Sequence, residues 1–297
     1  MLSLLKSIAL GVLSLDLSFA KSLNNSLPNR EFISKHNSEN HTYLIEENQF
    51  INRNYTDEFY IHKNHLLIHN STNYNDLFET DKGSVDWRDE YKVSAIKNQG
   101  SCGGCWAFSS AGAVESAWAI KNNVLYNLSE QELIDCSSDN NGCEGGDMDL
   151  AFQFIMNNSL CTNLSYPYIA VDDGCDIGQC DPVIHISNYS DVNPNNESAL
   201  KNAVAINPVS VAIQANKRSF QMYKYGIYDD FECGFELDHG VLVIGYGYDD
   251  ESDMKYWLIK NSWGDQWGEN GYIRMKRDIF DERGLCGIAM QPSYPIV

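Results

Sequence analysis

Positive charge is scarce in this chain. Lys and Arg together number 21 against 41 Asp and Glu, a net charge of −20 over 297 residues and a pI near 4.6. That balance argues against nucleic acid and anionic membrane surfaces as partners, since both need basic patches. It leaves an acidic compartment open, because an acidic surface stays soluble where carboxylates are partly protonated. Long apolar runs are also missing: past the first 20 residues no stretch is long enough to span a bilayer. Cysteine is absent from residues 21–80, and no second C-x-x-C follows the one at Cys102–Cys105. Without that repeat or a thioredoxin-like βαβ pattern, a zinc half-site and a redox pair lose weight. A catalytic thiol or two structural cysteines remain. Histidine thins out too: of seven, only His185 and His239 lie beyond residue 70.

What is present describes a folded protein with room for two modest domains, 43% hydrophobic and 12% aromatic. Residues 1–20 read as a signal peptide, with Lys6, an apolar run from Ile8 to Phe19 interrupted by Asp16, and the small-x-small site Ser18-Phe19-Ala20. Nine N-x-S/T sequons, at Asn24, Asn40, Asn54, Asn70, Asn127, Asn157, Asn163, Asn188 and Asn196, are compatible with secretory traffic. Nine cysteines in an oxidising compartment leave one thiol over.

The stretch Gln99–Ser109, Q-G-S-C-G-G-C-W-A-F-S, organises the rest. Its glycines suggest a sharp turn into a helix that runs from Cys105 to about Ile120. A thiol at the first position of a helix faces unpaired N–H groups and the positive dipole end, which lower its pKa. Phe108, Ala111, Val114, Trp118 and Ala119 make that helix apolar most of the way round, so it is buried, with Glu115 as a paired structural carboxylate. Ser129 and Glu132 have the spacing of a capping box for a second helix. Asn140–Gly146 is a turn-rich loop that lets another backbone come close. From about Val183 the pattern becomes strands: Val209–Ile213, Val241–Ile244, Tyr256–Ile259 and Tyr272–Met275. A helical half (about 90–183) and a strand-rich half (about 184–290) then meet at a cleft. A cysteine nucleophile needs a base with an orienting group. His239, where a turn feeds a strand, is the candidate base. Asn261, just after another strand, is the candidate orienter, with Trp263 and Trp267 to shield the bond from water; His185 reads as structural.

These runs, with L-D-H-G-V, K-N-S-W-G-x-x-W-G-x-x-G-Y, S-E-Q-E-L-I-D-C, N-G-C-E-G-G and Y-P-Y, resemble the papain-like cysteine proteases, in the cathepsin L-like endopeptidase branch, from about Val85 to Pro295. His239 and Asn261 lie 134 and 156 residues after Cys105, near the family's spacing, and Gly104 stands where Ser or Ala is usual. The resemblance implies an α+β fold of two domains, mainly helical and antiparallel β-barrel. It also implies a Cys105 thiolate–His239 imidazolium pair oriented by Asn261, and Gln99 as an oxyanion-hole amide. Gly145 and Gly146 would bind the substrate backbone. Asp147, Met148, Ala212, Leu237 and Gln291 would line the pocket for the side chain two before the scissile bond, with Asp238 beside the histidine and Trp263 roofing it. An Asp147 carboxylate facing that pocket predicts tolerance of Arg or Lys there. The family pairing suggests bridges 102–143, 136–175 and 233–286; parity adds 161–180. The 37 residues from Cys105 to Gly142 leave no room for a long occluding loop, which favours an endopeptidase. A non-catalytic relative, or a transferase using the same chemistry, stays open as a reading.

No cofactor and no metal are implied. The partners implied are protein or peptide substrates, the chain's own propeptide and cystatin-like inhibitors, acting on a monomer in the secretory pathway, in a lysosome or vacuole or outside the cell. Residues 21–80 resemble a short inhibitory propeptide ahead of a peptidase domain at 81–297. Phe59, Leu66 and His69-Asn70 match the end of its helix, and Asn73–Leu77 the segment after it. Only five residues would then reach the mature start near Asp81–Ser84, at most about 17 Å of chain. That predicts weak inhibition or a missing piece.

Overall fold

The computed structural model describes residues 26–52, 83–176, 178 and 180–297. The signal peptide and the propeptide matches from Phe59 to Leu77 lie outside the described residues. Helix α1 covers residues 26–38 and is followed by strand β1 (Tyr43–Ile45). After β2 (Val85–Asp86) comes α2 (Cys105–Asn122), 18 residues whose frequent alanines let neighbours pack close on nearly every side. It ends at Asn123 in the left-handed conformation, φ 58°, with its N–H on Ala119 O at 3.0 Å.

Helix α3 (Glu130–Cys136) is capped by Ser129, whose Oγ accepts from Glu132 N at 3.0 Å. Only half of the expected capping box forms. The Glu132 carboxylate is diverted to Cys161 N at 2.7 Å, and Ser129 N–H donates to Cys161 O at 2.9 Å. Helix α4 (Met148–Asn158) starts from Asp147. Leu128, Leu133, Ile134, Phe152 and Ile155 join these helices in one apolar core. Disulfides Cys102–Cys143, Cys136–Cys175 and Cys161–Cys180 staple this half.

The second half carries β3 (Asn188–Asp191), α5 (Glu197–Val204), β4 (Val209–Ile213), α6 (Arg218–Gln221), β5 (Tyr223–Tyr228), β6 (His239–Asp249), β7 (Met254–Lys260), β8 (Tyr272–Lys276) and β9 (Ser293–Ile296), with the bridge Cys233–Cys286. The sheet order is β1-β5-β8-β7-β6-β4-β9-β3, with β2 added on β6. The fold is α+β. One detail departs from a wholly antiparallel barrel: β5 runs parallel to β8. The β6–β7–β8 meander returns β8 to the direction of β6, and the long β5–β6 connection lets β5 dock beyond it. The sheet also extends past residue 290 through β9. His185 is exposed next to the isolated Leu160–Ile184 bridge rather than within a strand.

The N-terminal segment is joined to this sheet. Strand β1 pairs with β5, Tyr43 opposite Gly226. Gly226 has φ +100°, and a Cβ there would lie 2.4 Å from Thr42 O, so only glycine admits the strand. Tyr43, Ile45 and Phe50 are buried in the strand-rich core. This anchor lies upstream of the Asn73–Leu77 match. It leaves 30 residues, 53–82, before Gly83, a reach of roughly 100 Å when extended. The short-reach expectation turns on the Asn73–Leu77 match, which lies outside the described residues.

Candidate active site

The turn into α2 is made by room rather than by unusual dihedrals. Gly104, the N-cap, has φ −84°, which any residue adopts. A Cβ on it would lie 2.9 Å from Ile134 Cδ1, and one on Gly103 would lie 2.4 Å from Cys143 O. Gly103 N–H donates to that same oxygen at 2.8 Å, and Cys102 is bonded to Cys143, so the loop is clamped just before the helix. No side chain caps α2. Cys105, the one free cysteine, thus sits at the open helix end, with the N–H groups of Gly240 and Trp106 directed at its sulfur.

The strand-rich half brings in the base. Gly240 follows His239 at the start of β6, and β7 ends one residue before Asn261. His239 Nε2 lies 2.8 Å from Asn261 Oδ1. An amide oxygen only accepts, so Nε2 carries the proton and Nδ1 is the basic nitrogen. Asn261 Oδ1 also accepts from Ser262 N at 2.8 Å, which fixes the amide's orientation. The Trp263 indole is stacked on His239 with centroids 4.7 Å apart, tilted 26°. Trp267 packs edge-on against Trp263 at 5.1 Å rather than against the histidine.

Cys105 is 1% exposed and His239 0%. Burial pushes the Cys105 thiol up to about 11, against the opposing N–H bonds from Gly240 and Trp106. Burial lowers His239 to about 4, with the Asn261 bond pulling the other way. The open helix end and the N–H groups of Gly240 and Trp106 favour the thiolate, while burial disfavours either charge alone. The ion pair forms both charges at once, when the proton passes from sulfur to Nδ1.

Gln99 is buried and doubly tied. Its Nε2 donates to Cys102 O at 2.9 Å, and its Oε1 accepts from Ser262 Oγ at 2.6 Å. The amide therefore presents its nitrogen side to the turn before Cys105. Ser262 has no counterpart among the sequence candidates; its place next to Asn261 was the available signal.

Of the substrate positions, Met148 and Ala212 join the apolar core that contains Cys105, and Leu237 packs against it half-buried. A Cβ on Gly240 would lie 3.2 Å from Met148 Sδ, which puts Met148 beside the start of β6, whose Gly240 N–H meets the thiol. Gly145 has φ +114°, and Gly146 is pressed against Trp106. Asp147 differs from expectation. Its Oδ1 accepts from Asp149 N at 2.8 Å, so the carboxylate caps α4 instead of facing the pocket. Asp238 Oδ1 accepts from Ala215 N at 2.7 Å. Gln291 is half-buried just ahead of β9.

Behind the site lies a small cavity of about 20 Å³ lined by Lys97, Glu115, Glu130, Lys260 and Asn261 among others. Glu115 is fully buried and is paired as expected: it accepts from Lys97 Nζ at 2.8 Å and Leu128 N at 2.7 Å, and Ser94 also bonds it. Lys97 reaches Glu130 as well, and Lys260 Nζ donates to Ser94 Oγ at 2.8 Å. Burial lowers Lys260 to about 8. Glu132, Cys161 and Cys180 cluster closely, but both sulfurs are spent in their disulfide.

Residues 82–296 match the papain family of cysteine proteases. The chain is 52% identical over 215 residues to the thiol protease SEN102 of Hemerocallis sp., covering 72% of this chain and 59% of that protein. It is 45% identical over 278 residues to the senescence-specific cysteine protease SAG39 of Oryza sativa subsp. japonica, covering 90% and 81%. Among solved structures it resembles the ragweed pollen allergen Amb a 11, a cysteine protease in its proform, with a TM-score of 0.85 at 32% identity over 93% of this chain and 88% of that one. The chain belongs to the papain family of cysteine proteases.

Proposed function

We propose that this chain is a cysteine endopeptidase that hydrolyses protein or peptide substrates through a thioester on Cys105. The Cys105 thiolate attacks the carbonyl, and His239 Nδ1 takes the thiol proton and gives it to the leaving amine. His239 then acts as base for the water that hydrolyses the thioester. Gln99 Nε2 and the Cys105 N–H stabilise the oxyanion, at roughly 3–4 kcal/mol per donor in enzymes of this kind. The observation that carries this reading is the 2.8 Å His239–Asn261 bond, which fixes Nδ1 as the base on the residue next to the thiol's own N–H donor, Gly240.

The pocket for the residue two before the scissile bond takes Leu, Val or Phe, a reading supported by the apolar Met148, Ala212 and Leu237 and by Asp147 being spent on α4. Gly145 and Gly146 hold the extended backbone. Residues 21–80 act as the inhibitory propeptide, a role supported by the β1–β5 pairing and by likeness to a proform over 93% of the chain. Four disulfides support a secretory route, ending in a lysosome or vacuole or outside the cell. No helix among the described residues is long and apolar enough to cross a membrane. Peptide hydrolysis by Cys105→Ala and His239→Ala tests the mechanism. The first should lose all turnover while still binding peptide, and the second most of it; wild-type rates in Cys105→Ala would overturn it.

A further inference from the structure

The Tyr166-Pro167-Tyr168 motif takes no part in the chemistry above, yet Tyr168 holds the residue that does. Its hydroxyl donates to Gln99 O at 2.7 Å. Among the described residues, the other donor to that carbonyl is Cys102 N–H, at a long 3.3 Å. Gln99 is otherwise fixed by Ser262, through Gln99 N–H to Ser262 O at 2.8 Å and Ser262 Oγ to Oε1 at 2.6 Å, and by its own Nε2 on Cys102 O. Between Gln99 and Cys102 the chain turns through Gly100, φ +61°, and three residues past Cys102 it enters α2.

We propose that Tyr168 is a positioning residue for the oxyanion amide, holding the Gln99 main chain so that its side-chain NH2 meets the developing negative charge. The proposal rests on the reading of Gln99 given above.

The holder is itself rigid. The Tyr168 ring stands edge-on to Phe108 at 4.9 Å and 83°, one turn along α2 from Cys105. Tyr166 O accepts from Ser129 Oγ at 2.7 Å, Tyr166 Oη donates to Asp135 at 3.0 Å, and Ile169 N–H donates to Gln131 Oε1 at 2.9 Å. The bridges Cys161–Cys180 and Cys136–Cys175 close the loop on both sides. Burial raises the Tyr168 pKa, so the hydroxyl remains a donor over the working range. An oxyanion donor misplaced by a fraction of an ångström loses much of its effect, because the charge exists only in the transition state. Tyr168 thus acts on kcat through Gln99 and leaves substrate binding alone.

The test is Tyr168→Phe in wild-type and Gln99→Ala backgrounds, on the matured protein. In wild type, kcat should fall roughly three- to tenfold, the share of one hydrogen bond, with KM unchanged. A peptide aldehyde, whose hemithioacetal oxygen occupies the oxyanion position, should bind weaker by the same factor. Alkylation of Cys105 by a peptide epoxide, which forms no oxyanion there, should keep its rate. On Gln99→Ala, which alone should cost roughly 10²–10³-fold, adding Tyr168→Phe should cost nothing more. Full kcat in Tyr168→Phe, or equal losses in aldehyde binding, epoxide alkylation and KM, would overturn the positioning role. A Gln99→Ala enzyme with normal kcat would instead overturn the reading of Gln99, and the proposal with it.

Discussion

Phe50 joins the N-terminal segment to the catalytic roof. It is 3% exposed and stands edge-on to Trp263 at 4.7 Å, while Trp263 lies on His239 at the same distance. The neighbouring Gln49 Nε2 donates to Trp263 O at 2.9 Å. Replacing a buried Phe by Ala costs about 3–5 kcal/mol. Since Phe50 packs on the peptidase half, that loss falls on docking. The open fraction of the full-length chain should then rise roughly 10²- to 10⁴-fold in Phe50→Ala. On the inhibitory role proposed for residues 21–80, a peptide epoxide reaches the 1%-exposed Cys105 only from the open state, and the labelling rate follows the open fraction while that is small. The assay is the labelling rate of full-length protein at neutral pH. The matured enzyme from both precursors lacks residue 50 and must show one kcat/KM, which separates docking from damage to Trp263. Equal labelling rates for Phe50→Ala and wild type would refute the reasoning.

The docked segment should also respond to acid. His36 is buried with Nε2 on Tyr43 O at 3.1 Å and its ring stacked on His41, 3.8 Å between centroids. Burial and then the His41 charge lower its pKa, against the Tyr43 carbonyl, Asp230 and Glu39. A histidine held below its unfolded value binds protons better when undocked. Docking is therefore strongest above about 6.5 and weakens as pH falls from there, and His36→Gln should flatten the acid-induced rise in Cys105 labelling. Asp147→Leu should destabilise the protein by about 1 kcal/mol through the lost α4 cap and leave the basic-to-apolar preference in a peptide library unchanged; a shifted ratio would put Asp147 back in the pocket. Removing the Cys161–Cys180 bridge with paired serines should cost about 3 kcal/mol, roughly 6–12 °C in Tm by calorimetry, because it frees the loop between them in the unfolded chain.

The candidate catalytic residues were legible because their chemistry is local. A thiol after two glycines, a histidine entering a strand and an amide leaving one each carry a signal within a few residues, and the structure brings all three together. Asp147 was ambiguous because a carboxylate before a helix can face a pocket or cap the helix, and the Asp149 N–H bonded to its Oδ1 shows the cap. The helix end that favours the thiolate is visible in sequence, whereas the burial that opposes it is not. The parallel β5–β8 pair depends on sheet order, which strand patterning does not encode. Ser262 and Tyr168 escaped because both reach Gln99 across long sequence separations, 163 and 69 residues.

The central claim is that Cys105 is the nucleophile of a peptidase. The direct measurement is mass spectrometry of the matured protein after a peptide vinyl sulfone, alongside residual peptide hydrolysis. One equivalent on Cys105 with complete loss of hydrolysis, and no labelling in His239→Ala over the same time, is the predicted result. Hydrolysis that survives full modification of Cys105 would contradict it.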